Sequence, residues 1–438
     1  MERCTTRAEF CQVVSGLAET LADEIWTTVV ETAGTEDADT WLRQHGGAWL
    51  RQVLGVALTA RAEHLGVTGV CTCGGTLAFR QRRPVRLHTV LPGREVDATL
   101  IYGQCAQCHA GMWPVLHELG ADAEGFTPAL QALATLAGVI EPYDAASTEL
   151  LGRFAGVAVS AEKIQALVRQ EGASASEALS EVPAAGVSTA GPPTSGPAYV
   201  AIDGGMIFVD GRWQEVKLGC VFEAAARVED EKRPALTERQ VVAVRGTPDV
   251  LAARLWPRAA SAGLADRLTV VLGDGAPWIW NLAAELFPQR VEILDWYHAA
   301  EHVGAAARGL YGDGTPKAAQ WRQCQLDRLW NDGVDQVIDA LRFLGAHQRS
   351  AAKREAVAGL SRYLTTNRER MRYQTFRAAG YHIGSGAVES AVSYVVQQRM
   401  KRVGMRWRAP GADAMLALRS VYRSTGAWDQ FWAARRAA

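Results

Sequence analysis

The chain has 438 residues, 48% of them hydrophobic and 21% charged, with a formal net charge of −1 at pH 7. That length leaves room for two or three domains. The composition, with no apolar run long enough to cross a bilayer, excludes a disordered, collagenous or membrane-embedded chain. Net charge alone does not announce a nucleic-acid partner, but its distribution is uneven: from Arg399 onward nine Lys and Arg stand against two Asp. The start, Met1-Glu-Arg-Cys4, is polar rather than signal-like, so a cytoplasmic protein is expected, with no membrane partner. There the eight cysteines should serve as metal ligands or free thiols rather than disulfides.

Residues 1–65 read as helices, with Phe10, Val13, Val14, Leu17, Leu21 and Ile25 at helical spacing, then Trp49, Leu50, Val53, Leu54 and Leu58. Residues 66–118 carry two cysteine pairs, Cys71-Thr-Cys73 and Cys105-Ala-Gln-Cys108, joined by β-rich alternation from Pro84 to Leu100. Thiolates at that spacing complete a tetrahedral Zn²⁺ site, so a zinc-ribbon-like unit with a structural zinc is expected, His109 being an alternative fourth ligand. Unliganded thiols are the other reading. Arg80, Arg82, Arg83 and Arg86 between the pairs suit either phosphates or a solvated strand face.

Residues 119–172 return to helices. A Gly-containing turn near Gly156 and a helix opening at Ser160 have helix-turn-helix spacing, which would point Lys163 and Arg169 toward DNA; a plain helical hairpin fits the same pattern. Residues 173–198, rich in Ala, Ser, Gly and Pro, read as a linker.

Beyond the linker, 199–303 has the order of a ribonuclease-H-like domain: strands at Tyr199–Val209, Trp213–Glu223 and Gln240–Val244, a helix over Asp249–Gly263, a strand at Arg267–Leu272, a helix, a strand at Val291–Leu294 and a helix. The overall class expected is α/β (α+β). Asp203 sits mid-strand, where a carboxylate is costly unless paired or bound to a metal, although it also suits a turn cap. Asp274 follows a strand that should neighbour the first, so the two meet at one sheet edge. Oxygen ligands alone suit Mg²⁺ or Mn²⁺, two ions of which would serve phosphodiester chemistry with a third carboxylate.

Residues 304–380 read as an all-helical insertion and 381–438 as the last catalytic element, in which Gly384-Ser-Gly386 opens a helix carrying Glu389 and ending in Arg399, Lys401 and Arg402. Glu389 suits either a third metal ligand or the positive end of the helix dipole.

These residues resemble a known family. Ile202-Asp-Gly-Gly205, Trp213-x-Glu-Val-Lys217, Gly273-Asp-Gly-Ala-x-Trp278, Leu294-Asp-Trp-Tyr-His298, Ile383-Gly-Ser-Gly-Ala-Val-Glu389 and Gln398-Arg-Met-Lys-Arg-x-Gly-Met-Arg-Trp407 are similar, in this order, to bacterial insertion-sequence transposases of the ISKra type, relatives of the Mutator-like DDE transposases. The resemblance covers roughly 199–430. It implies a triad of Asp203, Asp274 and Glu389 holding Mg²⁺, cleavage at element ends and strand transfer into target DNA. It also implies that His298 assists near the scissile phosphate, with Asp295 either part of that pair or a helix cap.

His302, one turn on from His298, invites a weaker zinc reading. Arg399, Lys401, Arg402, Arg406 and Arg408 are the candidate DNA-gripping residues, and Trp407 is either core or a stacking platform. The expected partners are double-stranded DNA and further copies of the chain, in the nucleoid. The alternatives are a ribonuclease-H-like nuclease or domesticated relative, and a zinc-ribbon DNA-binding regulator without catalysis.

Overall fold

The computed structural model describes residues 4–32, 38–67, 71, 73–93, 95–181, 197–224, 236–261, 267–384 and 386–437. The chain is mixed α/β with a three-stranded and a five-stranded sheet. It divides into two units, Met1–Val168 with Trp432–Ala438, and Arg169–Phe431. Among the described residues no helix is long and apolar enough to cross a membrane.

In the first unit, helix Arg7–Ile25 opens on a capping box: Thr6 Oγ1 accepts the Glu9 amide at 3.2 Å while Glu9 Oε2 accepts the Thr6 amide at 3.1 Å. It buries none of its residues. The core lies instead between helix Ala38–Leu65, which supplies Leu58 and Ala62, and the antiparallel pair β1 (Leu77–Leu87) and β2 (Val96–Cys105), which supplies Leu87, Val96, Ala98 and Leu100. Short β3 (Gly111–Met112) adds to β2. Arg80, Arg82, Arg83 and Arg86 occupy β1, and Arg82 is held by Glu63 at 2.6 Å.

Helix Pro128–Ile140 crosses the following helix closely, because a Cβ on Gly138 would stand 2.6 Å from Ile164. Gly156, with φ 70°, closes the intervening turn, and the Ser160 hydroxyl accepts the Lys163 amide at 3.2 Å to open helix Ala161–Ser180. That helix runs to Ser180, so 173–180 are helical rather than linker; Ala and Glu spacing sustains the helix where composition alone suggested a break. Linker residues 182–196 lie outside the described residues.

The second unit is built on β4 (Ala198–Val209), β5 (Arg212–Ala224), β6 (Leu236–Arg245), β7 (Thr269–Gly273) and β8 (Arg290–Leu294), ordered β6-β5-β4-β7-β8. Asp210 and Gly211 both take positive φ, 48° and 81°, the backbone a two-residue hairpin turn requires. β4, β5 and β6 pair antiparallel, whereas β4–β7 and β7–β8 pair parallel. Helices Pro248–Ser261 and Pro277–Leu286 make the crossovers. β7 is buried along its whole length, as expected for a parallel strand covered on both faces.

β6 extends further than the Gln240–Val244 core read from sequence. Its donors are satisfied by helix Ala409–Arg423, where the Ser420 and Ser424 hydroxyls accept the amides of Ala243 and Val241 at 3.0 and 2.9 Å. Between β8 and Gly386 the chain is helical in segments: Trp296–Tyr311, Pro316–Trp330, Val334–Ala346, Ala351–Thr366 and Tyr373–Ala378.

Candidate active site and four-cysteine centre

Parallel register brings the carboxylates together. β4 pairs with β7 from Ala198 opposite Thr269 to Ala201 opposite Leu272, and β7 pairs with β8 from Thr269 opposite Arg290 to Gly273 opposite Leu294. Continued past the paired residues, the first register brings Asp203 level with Asp274 and the second brings Asp274 level with Asp295, and the charges of all three act on His298. Asp203 Oδ1 accepts the Gly204 amide at 2.6 Å, and Asp274 Oδ1 accepts the Ala276 amide at 2.8 Å as the chain turns into its helix. In both, one carboxylate oxygen is tied to the backbone just after it, which fixes the direction of the side chain.

Asp295 is fully buried and caps helix Trp296–Tyr311, accepting the His298 amide at 2.7 Å. Its Oδ1 also lies 3.4 Å from His298 Nδ1. Hydrogen bonding to Asp295, reinforced by the charges of Asp295, Asp203 and Asp274, lifts the His298 imidazole to about 9. These contacts favour the protonated ring. Because its folded value lies above the ordinary 6.5, the stabilisation it confers is complete below pH 6.5 and is lost as pH rises through about 9. Asp295→Asn removes the first cause, so NMR titration of the His298 ring should then give a value much nearer 6.5. An unchanged value would mean that another group holds the proton.

The helical segment buttresses the Asp274 turn. The Tyr363 hydroxyl donates to the Asp274 carbonyl at 2.9 Å, and Tyr363 stacks on His302 with centroids 3.8 Å apart. Gly275 has φ 101°, and a Cβ there would meet Leu294 at 3.0 Å and both Asn367 and Tyr363 at 3.1 Å, so glycine is required. His302 packs against Tyr363 here. Tyr363→Phe should cost about 1 kcal/mol in urea unfolding by orphaning that carbonyl; no loss would mean that water replaces the hydroxyl.

Helix Gly386–Val392 and the wide turn Ser393–Gln397 that continues it lie over β4 at Gly205, where a Cβ would stand 3.5 Å from Val392 and 3.6 Å from Val396. Glu389 belongs to this helix; its side chain, with those of Ala387 and Val388, lies outside the described residues. A cleft of about 340 Å³ is lined by Gly204, Gly205, Glu215, Asp274, Val396 and Lys401, among others.

Lys401, Arg402, Arg406 and Arg408 are exposed. Lys401 stands 5.7 Å from the Trp213 ring and Arg406 stands 5.9 Å from Phe208. Arg399 corrects the expectation: it is 1% exposed and packed 5.3 Å from the Trp407 ring, because its place in the helix faces the core. Trp407 is itself buried, its indole donating to the Met400 carbonyl at 3.0 Å, so it is core rather than a stacking platform. Lys163 is likewise turned inward, paired with Asp122 at 2.7 Å and Glu124 at 3.1 Å, and cannot read DNA from there; Arg169 is exposed.

Lys217, named in the sequence only as part of the motif Trp213-x-Glu-Val-Lys217 and given no role there, is buried, paired with Glu215 and 5.0 Å from the Trp278 ring. A signal exists: Glu215-Val-Lys217 places opposite charges two apart on one face of a buried strand.

In the first unit Cys71, Cys73, Cys105 and Cys108 form a cluster whose sulfurs all lie within 4.8 Å of one another. The Cys71–Cys108 and Cys73–Cys105 pairs are 3.6 and 3.5 Å apart. A tetrahedral thiolate site with bonds of ~2.3 Å has edges of ~3.8 Å, so these donors fit a metal ion. Backbone amides of Cys108 and Gln107 draw the Cys105 thiol down to about 6, while hydrogen bonds from the neighbouring thiols push Cys108 up to about 12, so without a metal one negative charge is shared in the cluster. A Cβ on Gly75 would come within 2.7 Å of Cys105 Sγ, so the turn needs glycine to close on the cluster. His109 is exposed, with φ 59°, and stands outside the four-sulfur set.

No curated protein matches the chain. Residues 115–436 match the sequence profile of an uncharacterised protein family, UPF0236, and since this span covers well over half of the chain, the protein belongs to that family.

Proposed function

We propose that the chain is a DNA transposase of the DDE type, related to the ISKra elements, that cleaves phosphodiesters at element ends and transfers the 3′ end to target DNA. One observation carries the reading: parallel register sets Asp203 beside Asp274 at the edge of a sheet with the strand order of a ribonuclease-H-like domain, directly under the helix that bears Glu389.

Two neighbouring carboxylates at one sheet edge, an all-oxygen donor set, fit a hard divalent cation. Asp203, Asp274 and Glu389 would hold Mg²⁺ or Mn²⁺, which when bound activates water or a 3′-hydroxyl and stabilises the leaving oxygen. His298, oriented by Asp295 at 3.4 Å, would donate a hydrogen bond to a phosphate oxygen at the same edge. Lys401 at the cleft, with the exposed Arg402, Arg406 and Arg408 that follow it in the chain, would supply contacts to the DNA backbone. The four-cysteine centre is a structural zinc site of a ribbon-like unit.

The test is metal-dependent cleavage and joining of labelled DNA carrying the flanking inverted repeats, comparing wild type with Glu389→Gln. Nicked and joined products that disappear in the variant support the assignment. Activity that survives moves the third carboxylate elsewhere, and specific binding without cleavage by wild type favours a DNA-binding regulator.

A further inference from the structure

The helix that carries Glu389 contains one turn that is a residue too wide. In an unbroken α-helix the Gln398 amide would reach the Tyr394 carbonyl; here it donates to Ser393, five residues back. The Tyr394 carbonyl is thereby left without its helical donor. Arg419, 2% exposed and on helix Ala409–Arg423, supplies one: its Nη2 donates to the Tyr394 carbonyl and its Nε donates to the Val395 carbonyl at 2.7 Å. The same helix is pinned to β6 through Ser420 and Ser424.

An arginine placed there is electrostatically costly. Burial, with Arg423 and Arg399 nearby, pulls Arg419 down to about 9. A Met or Leu would fill the volume without that cost but would leave the carbonyl unpaired.

We infer that Arg419 is a positioning residue: by capping the wide turn Ser393–Gln397 it sets the rotation of the preceding helical segment, to which Glu389 belongs. Closing the wide turn to an α-helical one without removing a residue would rotate everything before it by ~100°. Deleting one residue from the turn as it closes would leave the upstream segment where it was. Arg419 therefore matters because the helix has one residue more than an α-helical path between Glu389 and Gln398 allows. The inference rests on Glu389 being the third carboxylate.

The experiment compares full-length wild type, Arg419→Met, Arg419→Lys and Arg419→Met with Tyr394 deleted, each assayed for Mn²⁺-dependent DNA cleavage, thermal unfolding and amide exchange over 386–400. Arg419→Met should lower cleavage on the order of 100-fold or more, the scale of an ångström-level misplacement of a reacting group. Arg419→Lys should fall in between, and the deletion should restore cleavage to within about tenfold of wild type, since each helical residue adds ~100° of rotation and deleting one cancels that change.

Full activity in Arg419→Met, or a deletion that recovers thermal stability but not cleavage, would overturn the inference and reduce Arg419 to fold support. If Arg419→Met does not fold, the deletion variant decides alone. A wild type that does not cleave would sink the transposase reading instead. Exchange over 394–398 would still report the turn: protection lost in Arg419→Met and regained on deletion supports the capping role, and unchanged protection refutes it.

Discussion

Asp274→Asn should remove metal-dependent strand cleavage by ~10³-fold or more, the scale on which loss of a group that stabilises developing transition-state charge acts. The substitution isolates charge from structure. Asparagine keeps the oxygen that accepts the Ala276 amide at 2.8 Å, so the turn into helix Pro277–Leu286 survives. Tyr363 bonds the backbone carbonyl of residue 274 and is equally untouched. What disappears is a negative charge at the register position beside Asp203. The unfolding midpoint should therefore stay close to that of wild type while cleavage falls. Asp203→Asn, which retains an acceptor for the Gly204 amide, should behave alike. The two losses should not add in the double variant, because residues that act as one unit in a reaction are non-additive. Cleavage that survives either change would remove that residue from the reacting site.

The second large effect is on folding. Stripping the four-cysteine centre with a chelator, or replacing Cys105 by Ser, should unfold the three-stranded unit, whose sheet has only two long strands and a two-residue third. Beyond the packing of this unit against helix Ala38–Leu65, structural zinc contributes roughly 10 kcal/mol or more to folding in comparable small sites. Metal analysis should find one zinc per chain in wild type and none in Cys105→Ser, and amide protection over β1 and β2 should vanish with it. A metal-free wild type with a protected hairpin would show the sulfurs to be ordinary thiols. Core packing by Leu58, Ala62, Leu87 and Leu100 opposes complete collapse, so loss confined to the cysteine turns is the milder outcome, and it too would count against the metal's folding role.

Much of this is readable along the chain. Continuous apolar runs mark β4 and β7, the Asp-Gly pair marks the β4–β5 hairpin, and the cysteine spacing marks the four-cysteine cluster, because each signal is local and set by backbone geometry or side-chain reach. Residues 173–180 depart from the linker reading because Ala and Ser tolerate a helix that other contacts sustain. Arg399 and Lys163 depart from the DNA-gripping reading for one reason: sequence reports a charge but not whether another element supplies its partner. Arg399 packs on Trp407, and Lys163 finds Asp122 and Glu124, which precede helix Pro128–Ile140 in the chain.

Sequence by itself determined which carboxylates and thiols are available, and the period of the strands and helices that carry them. Only the tertiary structure decided which of them meet. The register of β4 against β7, and of β7 against β8, aligns residues 203, 274 and 295, and no local pattern encodes that alignment, since it depends on how crossover helices pack the strands together. The same holds for Tyr363 under the Asp274 turn and Arg419 under the wide turn before Gln398. In both, a polar side chain satisfies a backbone carbonyl that is distant in sequence, and such pairings exist only once the chain has closed on itself.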